Sequence, residues 1–134
     1  MKVIDEEFCF VCGKANERGL KLSFSSDKGK SSAEFILQQQ FQGYRNIIHG
    51  GIIAAILDEA MIHSAVSENL NPVTAEITIR YKQPLYADMP AVVDAELTQR
   101  GPRLLKARAW ITDRTSGVLI AEATGKMIPL KKYP

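Results

Sequence analysis

Hydrophobic and polar residues alternate in several short stretches of this chain, and one long apolar run interrupts them. Leu20, Leu22 and Phe24 alternate with Lys21, Ser23 and Ser25, the pattern of a strand with one buried face. Asp27-Lys28-Gly29-Lys30 turns the chain, and Ser31 to Gln40 reads as the returning strand, with Ala33, Phe35 and Leu37 on one face. Phe41-Gln42-Gly43-Tyr44-Arg45-Asn46 is a loop. A helix is predicted from Gly50 or Gly51 to Val66 or Ser67, and Glu68-Asn69-Leu70-Asn71-Pro72 stops it. Four more strands follow. Ile77, Ile79 and Tyr81 share a face in the first, Val93, Ala95 and Leu97 in the second, and Leu105, Ala107, Ala109 and Ile111 in the third. The fourth runs from Val118 to Ile128 after the hairpin Arg114-Thr115-Ser116-Gly117. One long apolar helix against a six-stranded, mostly antiparallel sheet is an α+β layer solution in which the sheet curls around the helix. Arg108 and Trp110 fall on its outer face, where a second pairing of subunits would turn a dimer into a tetramer.

The helix carries the chemistry. His49-Gly50-Gly51 opens it, and from Ile52 to Ile62 the only polar residues are the adjacent carboxylates Asp58 and Glu59. A helix apolar on nearly every face expects burial on all sides. Its N-terminus offers unsatisfied N–H groups and partial positive charge, and glycine lets an oxygen approach them closely. An oxyanion-binding helix end with a carboxylate on the same helix points to acyl chemistry. Gly51 and Asp58 are separated by about 10 Å along one helix, too far to serve one carbonyl within hydrogen-bond reach. Two antiparallel copies related by a two-fold axis would bring Gly51 of one beside Asp58 of the other. The expected site is therefore shared across a homodimer.

Composition narrows the class. The chain has 134 residues, 46% hydrophobic and 24% charged, the balance of one globular domain (1–134) led by an arm over residues 1–18. A net charge of +2 with interspersed signs gives no electrostatic footprint for nucleic acid. Met1 to Glu7 turns acidic where a signal peptide needs an apolar run, and the Asp58-Glu59 interruption rules the helix out as a membrane span. The expected location is the cytoplasm. Cys9 and Cys12 form a Cys-x-x-Cys, but a tetrahedral metal site needs four ligands. No second cysteine pair exists, and both His49 and His63 belong to the helix region, away from the arm. The pair is read as structural, with no metal expected.

These features together resemble the hotdog-fold acyl-CoA thioesterases of the PaaI-like branch. The resemblance rests on His49-Gly50-Gly51 at the helix start, an acid nine residues after the histidine, and the element order. The arm, with Cys9-Phe10-Val11-Cys12-Gly13, Asn16 and Gly19-Leu20, is similar too. It implies Gly51 as backbone donor to the thioester carbonyl with Gly50 beside it, His49 as a site histidine, and Asp58 as general base or nucleophile. It implies Thr74 as a hydroxyl that holds the attacking water. An amide upstream of the histidine is also implied, with Gln42 and Asn46 as candidates at spacings unlike the family's. The substrate would be an acyl-CoA or acyl-carrier thioester, with no cofactor beyond the coenzyme A of the substrate.

Plainer readings stand beside these. Asp58 would otherwise be a buried acid paired with an arginine, and Thr74 an ordinary strand-start residue. Glu59 reads as a helix-face or interface residue, with His63 its neighbour at helical spacing. Phe41, Tyr44 and Tyr81 read as core. The alternative function is a hotdog module that binds acyl-CoA without hydrolysing it; it would need Gly51 and a pocket but not Asp58.

Overall fold

The computed structural model describes residues 7–130. Residues 1–6 of the arm, on which the signal-peptide expectation rests, and residues 131–134 lie outside the described residues. Six strands form one sheet: β1 (Ser25–Asp27), β2 (Lys30–Phe35), β3 (Pro72–Tyr81), β4 (Ala91–Arg100), β5 (Leu105–Asp113) and β6 (Leu119–Pro129), in the spatial order β1-β2-β4-β5-β6-β3. Every neighbouring pair is antiparallel. The helix α1 (Gly50–Val66) follows β2 and carries the chain across the sheet to its opposite edge, where β3 pairs with β6. This is the hotdog architecture that the sequence pattern and its resemblance anticipate. No helix among the described residues is long and apolar enough to cross a membrane.

The helix is buried as its composition requires. From Ile52 to Ser67 no residue is exposed, and Ile56, Leu57, Ala60 and Ala65 have no accessible surface. The sheet accommodates it with small side chains: Ala95, Ala107, Ala109, Ala121 and Ala123 line its inner face. Met61 packs over Gly125, where a Cβ would come within 3.0 Å of the Met61 thioether. Small residues on the sheet and long ones on the helix interdigitate, as close packing demands. Asn69, at φ 62°, ends the helix in a left-handed turn, and the Leu70 N–H donates back to the Ala65 carbonyl.

The first strand differs from its expected span. Lys21 sits at φ 56°, which breaks an extended run from Leu20. Leu22 is buried as the alternation implies, but the N–H groups of Leu20 and Leu22 donate to the carbonyls of Phe10 and Val11 in the arm. The ladder with β2 begins only at Ser25, across a two-residue turn with both Lys28 and Gly29 at positive φ. β2 itself ends at Phe35, and a single 3₁₀ turn over Gln39–Phe41 follows. Tyr44 and Tyr81 are not core; they are 86% and 55% exposed. Phe41 packs against the core's edge.

β3 carries an irregularity that the alternation conceals. Thr74 pairs with Met127 and Glu76 with Lys126, so Ala75 is an extra residue. Pro72 and Thr74 lean inward before it, and Ile77 and Ile79 after it. A regular strand would turn Thr74 and Ile77 to opposite faces, and the bulge lets both face the helix.

Truncation at the helix–sheet contact tests this packing. Met61→Ala should cost about 2–5 kcal/mol in urea unfolding; a loss below about 1 kcal/mol would mean that the space over Gly125 is not filled as described.

Candidate active site

His49 is the N-cap of α1 and occupies the Gly51 donor at the helix end. Its Nδ1 accepts the Gly51 N–H at 2.8 Å, while its carbonyl accepts from Ile52 and Ile53 at 3.0 and 3.2 Å. The helix end is therefore not the set of open donors expected from the glycines. The imidazole fills the place of an incoming oxygen, because a nitrogen two bonds from Cβ reaches N2 as a capping carboxylate would. An accepting Nδ1 puts the proton of the neutral ring on Nε2. Gly43 lies against the back of the ring, where a Cβ would come within 3.4 Å of His49 Cδ2. On the other side the Tyr81 hydroxyl donates to the Gly50 carbonyl at 2.7 Å.

A surface cavity of about 410 Å³ opens here, lined by Gln40, Phe41, Gln42, His49, Gly51 and Ile52. Gln42 thus joins His49 and Gly51, as the sequence suggests. Its Oε1 accepts the Asn46 N–H at 2.9 Å, so it also braces the loop. Asn46 serves the loop instead. At φ 64° it makes the left-handed turn, and its carbonyl accepts from Ala87. It does not line the cavity.

Asp58 lies two turns along the helix, facing β3. Thr74 Oγ1 donates to Asp58 Oδ1 at 2.6 Å, a contact that exists because the bulge at Ala75 turns Thr74 inward. Burial raises the Asp58 carboxyl above its ordinary range; the Thr74 hydrogen bond pulls it back and the Glu59 charge adds to the rise. No arginine pairs with it among the described residues. A half-buried carboxylate with a hydroxyl on one oxygen and a raised proton affinity suits a base acting on water.

Glu59 points elsewhere. A step of about 100° around the helix aims it at the arm, where Cys12 Sγ donates to its Oε1 at 3.4 Å and His63 Nε2 lies 3.4 Å from the same oxygen. Burial pushes the Glu59 carboxyl up, but the hydrogen bond and charge of His63, together with hydrogen bonds from Cys12 and Cys9, outweigh it and hold the group below its usual value. Burial and the Glu59 charge push the Cys12 thiol up. His63 is the helical-spacing neighbour of Glu59 that the sequence suggests, and its ring stacks on Phe24 at 4.5 Å between centroids. The cysteine pair, expected to lie away from the helix histidines, is folded directly over this end of α1.

The fold thus brings Gly50, Gly51, His49 and Gln42 to one end of the helix, and Asp58 with Thr74 to its middle. Tyr81 is a neighbour of the helix start that the sequence pattern assigns to the core. Its strand period gives the face correctly, but only the end of β3 over Gly50 reveals the contact.

Comparison with known proteins bears on the family and the fold. Residues 45–120, more than half of the chain, match the thioesterase superfamily. The chain is 34% identical over 89 residues, 66% of its length, to the acyl-coenzyme A thioesterase THEM4 of Mus musculus. That match spans 38% of the mouse protein, and the chain spans less than half the length of the curated relatives it matches. Among solved structures, a hypothetical thioesterase of Streptococcus pneumoniae TIGR4 with coenzyme A is similar with a TM-score of 0.79 at 18% identity, over 84% of this chain and 88% of that one. The PaaI protein of E. coli is similar with a TM-score of 0.77 at 21% identity, over 81% and 83%. Sequence match and hotdog fold together lead to one assignment: the chain belongs to the thioesterase superfamily.

Proposed function

We propose that this chain hydrolyses an acyl-CoA thioester to a carboxylic acid and a free thiol, without a metal, at a site shared by two antiparallel copies. The observation that carries the reading is Asp58, half-buried, raised in proton affinity and held by Thr74. Asp58 takes a proton from water as the water oxygen adds to the thioester carbonyl carbon. The carbonyl oxygen becomes an oxyanion at the helix N-terminus of the other copy, where a backbone donor in a dry site is most effective. The C–S bond then breaks, and the thiolate leaves and takes up a proton. For Gly51 to donate to that oxyanion the His49 ring turns aside, so His49 acts as a placeholder that the substrate displaces. The relatives support this chemistry: the mouse relative is an acyl-coenzyme A thioesterase, and the Streptococcus pneumoniae structure contains coenzyme A.

Two features support the shared site. Gly51 and Asp58 are about 10 Å apart along one helix. β3 bonds only to β6 among the described residues, which leaves a ten-residue edge with Val73 half-exposed. A long unpaired edge of this kind invites pairing with another copy. Arg80 faces the outer side of the sheet beside Arg108 and Trp110, and Arg100 is engaged with Glu68 at 2.5 Å.

Thiol release from aromatic and aliphatic acyl-CoAs is the direct test. Asp58→Asn should lower kcat by at least about 100-fold with the oligomer unchanged in sedimentation; turnover like the wild type's would end this assignment. Binding without thiol release from any acyl-CoA would instead establish the binding module.

Thr74→Val should reduce kcat by about tenfold or more, the worth of a hydrogen bond to a charged group. An unchanged rate would make the contact with Asp58 merely structural.

Mixing inactive chains separates a shared site from one within a chain. Gly51→Pro removes the donor in the first helical turn, where no N–H is bonded within the helix, and Asp58→Asn removes the base. In a mixed dimer one site receives both lesions and the other none, so an equal mixture should recover about a quarter of wild-type activity. No recovery after confirmed subunit exchange would place donor and base in one chain.

A further inference from the structure

The cysteine pair and the second helix carboxylate have no part in the proposed hydrolysis, yet the fold assembles them. The Sγ atoms of Cys9 and Cys12 and a Glu59 carboxylate oxygen all lie within 4.8 Å of one another. The Cys12 N–H points at Cys9 Sγ at 3.5 Å, so the intervening residues wrap as a knuckle with both sulfurs on one side. Gly13 closes this knuckle tightly: its N–H donates to the Cys9 carbonyl, and a Cβ there would meet the Cys9 backbone nitrogen at 2.4 Å. Asn16 secures the arm from outside, donating from Nδ2 to the Phe8 carbonyl. The two sulfurs are therefore held together on one side of the arm by its backbone geometry, and Cys12 meets the helix at Glu59.

We propose that Cys9, Cys12, Glu59 and His63 form a Zn²⁺ site that fastens the arm to α1. Two sulfurs, a carboxylate oxygen and an imidazole nitrogen are a donor set that zinc accepts, with bonds of about 2.3 Å to sulfur and about 2.0–2.2 Å to nitrogen and oxygen. A tetrahedron of that size has edges of about 3.3–3.8 Å. The Cys12–Glu59 and Glu59–His63 separations, both 3.4 Å, are already such edges. The longer separations among Cys9, Cys12 and Glu59, within 4.8 Å, close by about 1 Å as the ion draws the ligands in, and His63 Nε2, which meets Glu59 but lies outside that group of three, turns toward the sulfurs. His63 is held for the role by its stack on Phe24. Glu59 and His63 side chains are only 14% and 13% exposed, which keeps water from competing. The two thiol protons leave to solvent on binding, and nothing is oxidised. The ion would bridge residues 9 and 12 to residues 59 and 63, and so fix the arm over the helix one residue from Asp58.

Cobalt substitution in the reduced full chain, stripped of metal with a chelator under anaerobic conditions, tests the proposal. Co²⁺ should bind in one equivalent with tetrahedral visible bands and thiolate charge-transfer absorption, and Zn²⁺ should displace it. Octahedral cobalt or no binding would overturn the site, and this readout requires no variant to fold. Cys9→Ser with Cys12→Ser should abolish the charge-transfer band and weaken Zn²⁺ binding by at least about 100-fold; a band that survives would overturn it as well. His63→Ala should keep the band and bind about 10–100-fold more weakly, and unchanged affinity would remove His63 from the set. Thiol release plays no part in any of these measurements, so failure of the hydrolase reading and failure of the metal site are separately visible.

Discussion

Two adjacent carboxylates on a largely buried helix are the constraint around which this structure is arranged. An apolar helix inside a curled sheet gains from every methyl group it buries, but a carboxylate in the same place is costly unless met by polar partners. Because neighbouring helical residues point about 100° apart, Asp58 and Glu59 cannot share one solution. Asp58 is met from the sheet side by Thr74, which a bulge in β3 turns inward. Glu59 is met from the arm side by Cys12, and along the helix by His63. The bulge and the folded arm thus answer the same difficulty from opposite directions.

The outcome differs for the two acids. Asp58 receives one hydroxyl and no cation among the described residues, so burial prevails and its proton affinity rises. Glu59 has an imidazole and two thiols nearby and stays below its ordinary range in spite of burial. One is therefore left disposed toward taking a proton, the other toward holding a charge. That separation of roles between adjacent residues is set by what packs against each face of the helix, not by the residues' own chemistry.

Much of this is legible in the sequence because the period of the pattern is a local property. The helix bounds, the alternation of β4 and β5, and the faces of Ile77 and Ile79 follow from spacing alone. Thr74 is legible only through resemblance, since it stands three residues before Ile77 and a regular strand would turn it away; a bulge has no signature in the alternation. The span of β1 is shorter than its pattern because Lys21 at positive φ breaks a run that its side chains still describe as alternating. Tyr81 has the parity of a core residue, but its position at the end of an edge strand decides otherwise. The cysteines illustrate a different limit. Sequence distance separates them from His63, and no local rule says that a turn-rich arm folds back over the far half of a helix.

The helix start shows how a motif can be right about place and incomplete about state. Glycine at positions 50 and 51 and histidine at 49 mark a terminus built for close approach, and the cavity with Gln42 lies there. Yet the ring of His49 itself holds the Gly51 N–H, so that donor is not left without a partner. In the proposed reaction, a substrate oxygen that replaces the ring loses nothing in hydrogen-bond count, and it gains only where its negative charge is greater than that of a neutral imidazole nitrogen. Exchange of that kind favours the oxyanion over the ground-state carbonyl, which is the selectivity that catalysis requires.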